Sequence, residues 1–392
     1  MRISVFPLLI LLYGCLNEPD SAGIETLPPS DYPQIKVDTV YCNSDSLAYT
    51  FINSTFDSRM FLGNAGNYVA WSFVEFGFTP FELYKSLPIL SVKLRLKTNY
   101  SFGSGAAPLS VQLFPATQNW HSDSLMFDSL QANATAYYDP AKQIGGASSS
   151  PADTDWYEIA ISDTQLVRQS ITQESAGLSY GILIKPVSTT DIKGFESGNI
   201  SSDGNRPALT MTFDSLGTPV NVEITANQSR SLVHIPQANL VTDNRLLFVQ
   251  NGVSYREYLG FDLSKIPISS SISKAELELT LDSAASLRNA YGKDSVISAY
   301  VANDNSLVSS SQKITTSTSD GGEKVYRLAL VTYVQNWIRP AATQHRLALY
   351  GFAERTTLDR FAFYGGTWAN PALRPRLIVT YTPPPQKATV KK

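Results

Sequence analysis

The chain has 392 residues, 34 acidic against 31 basic, and a formal net charge of −3 at pH 7. That balance has no basic excess to neutralise phosphates, which excludes nucleic acid as the expected partner. The length suits about two domains, and Tyr 20 and Phe 18 beside abundant Val, Ile, Ser and Thr favour strands over helices. With two cysteines in the whole chain, stability is expected from buried sheet faces rather than from disulfides.

Residues 1–14 read as a secretory signal. Met1-Arg2 supplies the positive start, Val5 to Leu12 is apolar apart from Pro7, and Gly14 is the small residue before a cleavage point. The run is shorter than the roughly 20 apolar residues that span a bilayer. Cys15 directly after Gly14 resembles the bacterial lipobox, in which the thiol is acylated and becomes the new amino terminus. The expectation is a lipoprotein of the bacterial cell envelope, held on the outer membrane or cell surface through acyl chains, each buried CH₂ contributing about 0.8 kcal/mol. Residues 15–34 hold four prolines and no apolar periodicity, and read as a flexible tether.

From residue 35 onward the chain is an all-β body in two tandem antiparallel β-sandwich (jelly-roll) domains, 35–216 and 217–383, each with one short helix. The division comes from internal repetition. Phe76-Gly77-Phe78 followed by Val92 to Leu96 has a counterpart in Leu259-Gly260-Phe261 followed by Ala275 to Leu279, with Gly77 and Gly260 183 residues apart. In each pair an alternating run, a proline loop (Leu87-Pro88, Ile266-Pro267) and a second alternating run give two half-buried strands. Arg206-Pro207 with the run to Phe213 parallels Arg374-Pro375 with the run to Tyr381, and Tyr157 to Ile161 parallels Tyr326 to Leu330. Leu216-Gly217-Thr218-Pro219 is read as the joint between copies. Val331, Val334, Trp337 and Ile338 recur at helical spacing with Thr332 as N-cap, and Asp163 to Ile171 is the matching helix of the first half. Residues 384–392, proline-rich and then basic, are read as an unpacked tail.

The second half resembles the DNRLRE domain family, a family of carbohydrate-binding-module-like jelly rolls found in alginate-recognising and other surface proteins. The resemblance rests on Tyr258-Leu259-Gly260-Phe261-Asp262-Leu263-Ser264-Lys265-Ile266-Pro267, on Ile272 to Leu277, on Leu330-Val331-Thr332-Tyr333-Val334-Gln335-Asn336-Trp337, and on Val379-Thr380-Tyr381. The first half is similar through Arg59 to Gly63 and Ala116 to Trp120, but Phe78-Thr79-Pro80 replaces the family's Phe-Asp-Leu. The resemblance implies a jelly-roll sandwich and a polysaccharide-binding role.

Residue by residue, the chain carries no pattern that calls for catalysis. His121, His234 and His345 have no metal-ligand spacing, and no G-x-S-x-G, P-loop, dinucleotide fingerprint or C-x-x-C occurs. His121-Ser122-Asp123 holds triad residue types, but neighbours on a strand point to opposite faces. Cys42 has no histidine near it in sequence and reads as a small packed residue. Asp153-Thr154-Asp155 and Asp123 to Asp128 offer oxygens of the kind Ca²⁺ takes, without an EF-hand pattern, so structural calcium is an alternative to plain solvated loops.

Binding an extracellular polysaccharide requires exposed aromatic faces beside polar groups. The aromatic candidates are Tyr100, Trp120, Tyr137, Tyr138, Tyr291 and Trp368, with Trp71, Trp156 and Trp337 assigned to the core and Trp120 placed between the two. For an anionic glycan the basic candidates are Arg245, Arg288, Lys293 and Arg355, with Arg256 and Arg360 behind them. The expected function is therefore a non-catalytic, surface-anchored glycan binder. The alternatives are a structural or adhesive surface protein that contacts a protein partner, and a polysaccharide-degrading enzyme, since a carboxylate pair needs no motif.

Overall fold

The structure is a computed structural model that describes residues 32–384, apart from residue 33 and the segments 52–57, 67, 79–82, 104–106, 123–124, 174–175, 200–203, 235–242, 292–296, 302–314, 317, 320–324, 340–345 and 353. Cys15, the signal, most of the tether and the tail beyond residue 384 lie outside the described residues, as do Asp123, Lys293 and His345.

The chain is all-β. In order its first part runs β1 (Lys36–Phe51), β2 (Arg59–Ala65), β3 (Tyr68–Phe76), β4 (Ile89–Phe102), β5 (Leu109–Pro115), α1 (Phe127–Ala132), α2 (Ala134–Tyr137), β6 (Gly145–Ser149), β7 (Trp156–Ile161), α3 (Thr164–Thr172), β8 (Ile182–Ser188), β9 (Ile192–Glu196), β10 (Ala208–Ser215) and β11 (Thr218–His234). The second part runs β12 (Leu246–Gln250), β13 (Val253–Phe261), β14 (Ser271–Thr280), β15 (Ile297–Val301), β16 (Thr315–Thr316), β17 (Thr318–Ser319), β18 (Val325–Ala329), α4 (Val331–Trp337), β19 (Arg346–Gly351), β20 (Arg360–Tyr364) and β21 (Arg376–Thr382).

Two antiparallel bodies result, each a flattened ring of strands around an apolar core. In the first, pairing runs β11-β10-β4-β7-β6-β5-β8-β3 and back to β11. In the second it runs β1-β21-β14-β18-β17, then β16-β15-β19-β13 and back to β1. Alternation builds both cores: Val92, Leu94 and Leu96 of β4 are buried among Ile159, Leu209 and Met211, and Ala275, Leu277 and Leu279 of β14 among Leu328, Leu377 and Val379. Exclusion of these side chains from water, at about 25 cal/mol per Å² of apolar surface, is the main driving force for both bodies.

The ring membership corrects the domain limits read from sequence. β1, at the head of the first repeat, closes the second body, and β11, at the head of the second repeat, closes the first. The two strands are counterparts: Cys42 N–H donates to Pro375 O, and Ala226 N–H donates to Pro207 O. Each also carries a register shift where it passes from one partner to the other, between Cys42 and Ser44 and between Ala226 and Gln228. The tandem repeats have thus exchanged their first strands within one chain. Leu216-Gly217, expected as the domain joint, is instead a two-residue hairpin turn with φ of 54° and 83°, and Ser215 pairs with Thr218 across it. So tight a turn forces β11 to fold straight back on β10.

The helices also differ in detail from expectation. α3 starts as anticipated, with Asp163 as N-cap accepting from Leu166 N–H at 3.0 Å. Thr332 is not a cap: the N-cap position falls two residues earlier, at Leu330, which makes no side-chain cap. The first body holds three described helices rather than one, because Phe127 and Leu130 of α1 are buried under Trp71 and Leu232 on the far side of the sheet. Six residues are too few for a periodicity to show in sequence.

A seam joins the bodies. Tyr100 Oη donates to Asp359 Oδ1 at 2.7 Å and accepts from Leu358 N–H at 3.0 Å, while Ala290 N–H donates to Ser101 O at 2.8 Å. Leu358 of the second body packs with Phe61, Tyr68 and Phe102 of the first.

Candidate functional site

Trp368 and Arg245, both sequence candidates for glycan contact, meet at one end of the second body. The turn that carries Trp368 follows β20 as Gly365-Gly366-Thr367. Gly365 N–H donates to Arg245 O at 2.8 Å, Gly366 N–H to Asp45 Oδ2 of β1 at 3.2 Å, and Trp368 N–H closes the turn on Gly365 O at 3.1 Å. A Cβ on Gly365 would lie 2.8 Å from Arg245 O, so this approach requires glycine. Arg374 Nε donates to Trp368 O at 2.6 Å, and Asn370 caps the 3₁₀ turn Pro371–Leu373 through Ala372 N–H. The backbone that carries Trp368 is therefore held from several directions although the turn lies at the surface.

Around it, the Tyr364 ring lies 4.7 Å from Trp368, tilted by 43°, and the Arg245 guanidinium sits 5.5 Å from the indole centroid. Asp243 accepts from Arg245 Nε at 3.0 Å and Nη2 at 2.9 Å, a bidentate fork. These bonds hold the Asp243 carboxyl below its usual range and raise the Arg245 guanidinium. Trp368 and Tyr364 remain half-buried and Arg245 is exposed, so ring surface and a fixed charge pair face solvent together. The arrangement can stack on the apolar face of a ring-shaped ligand and hydrogen-bond its edge.

The other candidates lie elsewhere, and three are corrected. Tyr100 is fully buried in the seam, where burial and then Asp359 push its phenol well above the usual range. Trp120 is fully buried, stacked on Phe73 at 5.2 Å with Nε1 donating to Tyr180 O at 2.8 Å. Tyr138 is buried against Phe114 at 5.0 Å, with its hydroxyl accepting from Lys185 Nζ at 3.2 Å. None of the three leaves a face for a sugar. Tyr137 is half-buried on the edge of the same cluster. Tyr291 lies at the seam, its hydroxyl donating to Pro151 O at 3.3 Å and its ring 5.7 Å from the buried Lys193 ammonium. Arg288 is exposed and donates to Tyr326 Oη at 3.4 Å, and Arg355 is exposed. These residues do not converge on Trp368. Trp71 and Trp337 are buried as expected, whereas Trp156 is half-buried under Arg95, 4.3 Å from its ring.

Sequence reasoning missed a second aromatic surface. Tyr258 and Tyr350 flank Ala348 on the face of β13 and β19 opposite the core, with the Arg346 guanidinium 5.5 Å over Tyr258 and that of Arg256 5.9 Å over Tyr350. The signal was the parity of Arg256-x-Tyr258 and Arg346-x-Ala348-x-Tyr350, which sets them opposite the core residues Leu259, Leu347 and Leu349.

His121 Nε2 lies 2.7 Å from Glu75 Oε2, and His234 Nδ1 lies 2.8 Å from Asp128 Oδ1. Asp155 Oδ2 accepts from Ala152 N–H at 3.0 Å within its own loop. Among the described residues no group of three or more His, Cys, Asp and Glu side chains is placed to hold a metal ion, and no helix is long and apolar enough to cross a membrane.

No family model matches the chain, and no curated protein matches it. Among solved structures the chain is similar to the infectious bursal disease virus VP2 subviral particle, at 10% identity over 89% of this chain and 76% of that chain. The TM-score of that match is 0.12, which carries no argument about fold or function.

Proposed function

We propose that this chain is a non-catalytic glycan-binding lipoprotein of the bacterial cell envelope, anchored through Cys15, with its polysaccharide contact at Trp368, Tyr364 and Arg245. The observation that supports the reading is the fixed, solvent-facing pair of rings with a bidentate Arg245–Asp243 fork beside it. The corresponding stretch of the first half, Glu196 to Pro207, contains no aromatic residue, so one contact per chain is the reading. A pyranose polymer suits it, since its ring stacks on the aromatic faces and its hydroxyls can bond the Asp243 carboxylate and the Arg245 Nη1 group beside them.

The test is affinity electrophoresis of the chain against neutral and anionic polysaccharides, with reducing ends followed in the same samples. Retardation by one glycan without release of reducing ends is expected, together with at least about tenfold weaker binding for Trp368→Ala, equivalent to about 1.4 kcal/mol. Reducing-end release would replace this reading with a polysaccharide-degrading enzyme. Absence of retardation across the panel would favour a structural or adhesive role.

A further inference from the structure

The exchanged strands β1 and β11 have parallel positions but opposite surface chemistry. Each is paired on one side only over its first half, β1 with β21 through Lys36 to Tyr41 and β11 with β10 through Thr218 to Thr225. Partners on the other side, β13 and β3, begin only at Cys42 and Ala226. Because Cys42 N–H bonds to Pro375 O, and bonding alternates along an antiparallel pair, Val40, Asp38 and Lys36 turn their backbone groups to β21. Val37, Thr39 and Tyr41 then turn theirs to the open edge, where among the described residues no backbone bond meets them.

The matching bond of Ala226 to Pro207 aligns Ile35, Val37, Thr39 and Tyr41 with Pro219, Asn221, Glu223 and Thr225. The β11 set is what a protected edge carries: a proline without a donor, an amide and a carboxylate. Asn221 accepts from Thr212 at 2.8 Å and Glu223 pairs with Arg95 at 3.1 Å. The β1 set is apolar and exposed, with Ile35 at 73%, Val37 at 62% and Tyr41 at 44%. One of two equivalent edges has been left open.

We propose that the open edge of β1 pairs antiparallel with β1 of a second copy of this chain, centred on Val37. Charge selects the copy and the register. In that register Lys36 of each strand faces Asp38 of the other, Val37 faces Val37, and Ile35 faces Thr39. Moving the centre by one residue to Asp38 sets two carboxylates opposite each other. The pairing extends the sheet from one copy into the next about a two-fold axis, an isologous contact.

Sedimentation velocity of the full chain tests this, comparing the natural sequence with the quadruple variant Ile35→Pro, Val37→Asn, Thr39→Glu and Tyr41→Thr. These are the residues β11 carries at the same positions, so the fold accommodates them. Single Val37→Asn serves as the milder form. Dimers for the natural chain and monomers for both variants are expected. In chains that also carry Cys15→Ser, Val37→Cys should form an intermolecular disulfide and Asn221→Cys should not, since paired Cα atoms at the centre fall within disulfide range. A natural chain that stays monomeric up to its solubility limit overturns the proposal, as does a dimer untouched by the variants. A Val37→Cys chain that stays monomeric while its introduced thiol resists alkylation also overturns it, and identifies the chain's own preceding segment as the cover.

Discussion

Glu257 shows how a single side chain can set the pH response of a body. It is 3% exposed on β13, and its Oε1 accepts from Phe248 N–H at 2.9 Å. Burial, reinforced by the Asp45 charge and opposed by that hydrogen bond, pushes the carboxyl up to about 8. The unfolded chain ionises near the ordinary glutamate value, so the native state holds a proton that the unfolded state releases. The stability tied to this group is complete below that ordinary value and is lost as pH rises toward about 8. Glu257→Gln keeps an acceptor for Phe248 without the charge. Chemical denaturation at pH 5 and pH 9 should show the variant little changed at the lower pH and more stable at the higher, by on the order of a few kcal/mol. Equal effects at both values would mean the carboxyl does not titrate in this window. The same scale explains which site residues were legible. Trp368 is legible as an exposed ring because Gly365-Gly366-Thr367 marks a surface turn, while the expectation of an exposed Tyr100 fails because no local signal reports the second body that covers it. β4 in fact continues to Phe102, held by β9, and the opposing body covers the tyrosine.

At the level of elements, alternation and internal repetition, including the 183-residue offset between Gly77 and Gly260, exposed β3, β4, β7 and β10 with their counterparts β13, β14, β18 and β21, because a buried face leaves a period of two in the sequence. They did not expose which body β1 or β11 completes. A strand's own pattern records how many faces it buries and is silent about the identity of its neighbours. The turn between β10 and β11 is where the local signal was misread, since Leu-Gly followed by Pro looks like a linker. Leu216 sits there at φ 54°, a left-handed conformation that leucine disfavours, and its side chain is fully exposed. Asparagine adopts this conformation more readily and with Gly217 forms the preferred pair for such a hairpin. Leu216→Asn should raise stability by about 0.5–1 kcal/mol, read as a higher denaturant midpoint at unchanged slope. A lower midpoint would show that Leu216 makes a contact its exposure does not suggest.

For the molecule as a whole, strand exchange decides how the two bodies fold and fail. If each repeat closed on itself, the seam alone would join them, and cutting the chain between them would leave two independent parts. Here β1 belongs covalently to the N-terminal part and structurally to the second ring, where it bonds β13 over Cys42 to Phe51 and β21 over Lys36 to Tyr41. Separating the parts means breaking both ladders and exposing Val40 and Cys42 together with the core they cover. A protease site engineered into residues 235–242, between β11 and β12, tests this directly. After cleavage the two fragments should still co-elute under native conditions and melt in one transition, and they should separate only in denaturant. A variant that also lacks Lys36–Phe51 should release its C-terminal fragment, with loss of the buried Trp337 fluorescence, because the second ring is then open along two strands at once. A C-terminal fragment that stays bound and folded in the variant lacking Lys36–Phe51 would show that β11, which remains on the N-terminal fragment, closes the second ring, and the exchange would have to be abandoned.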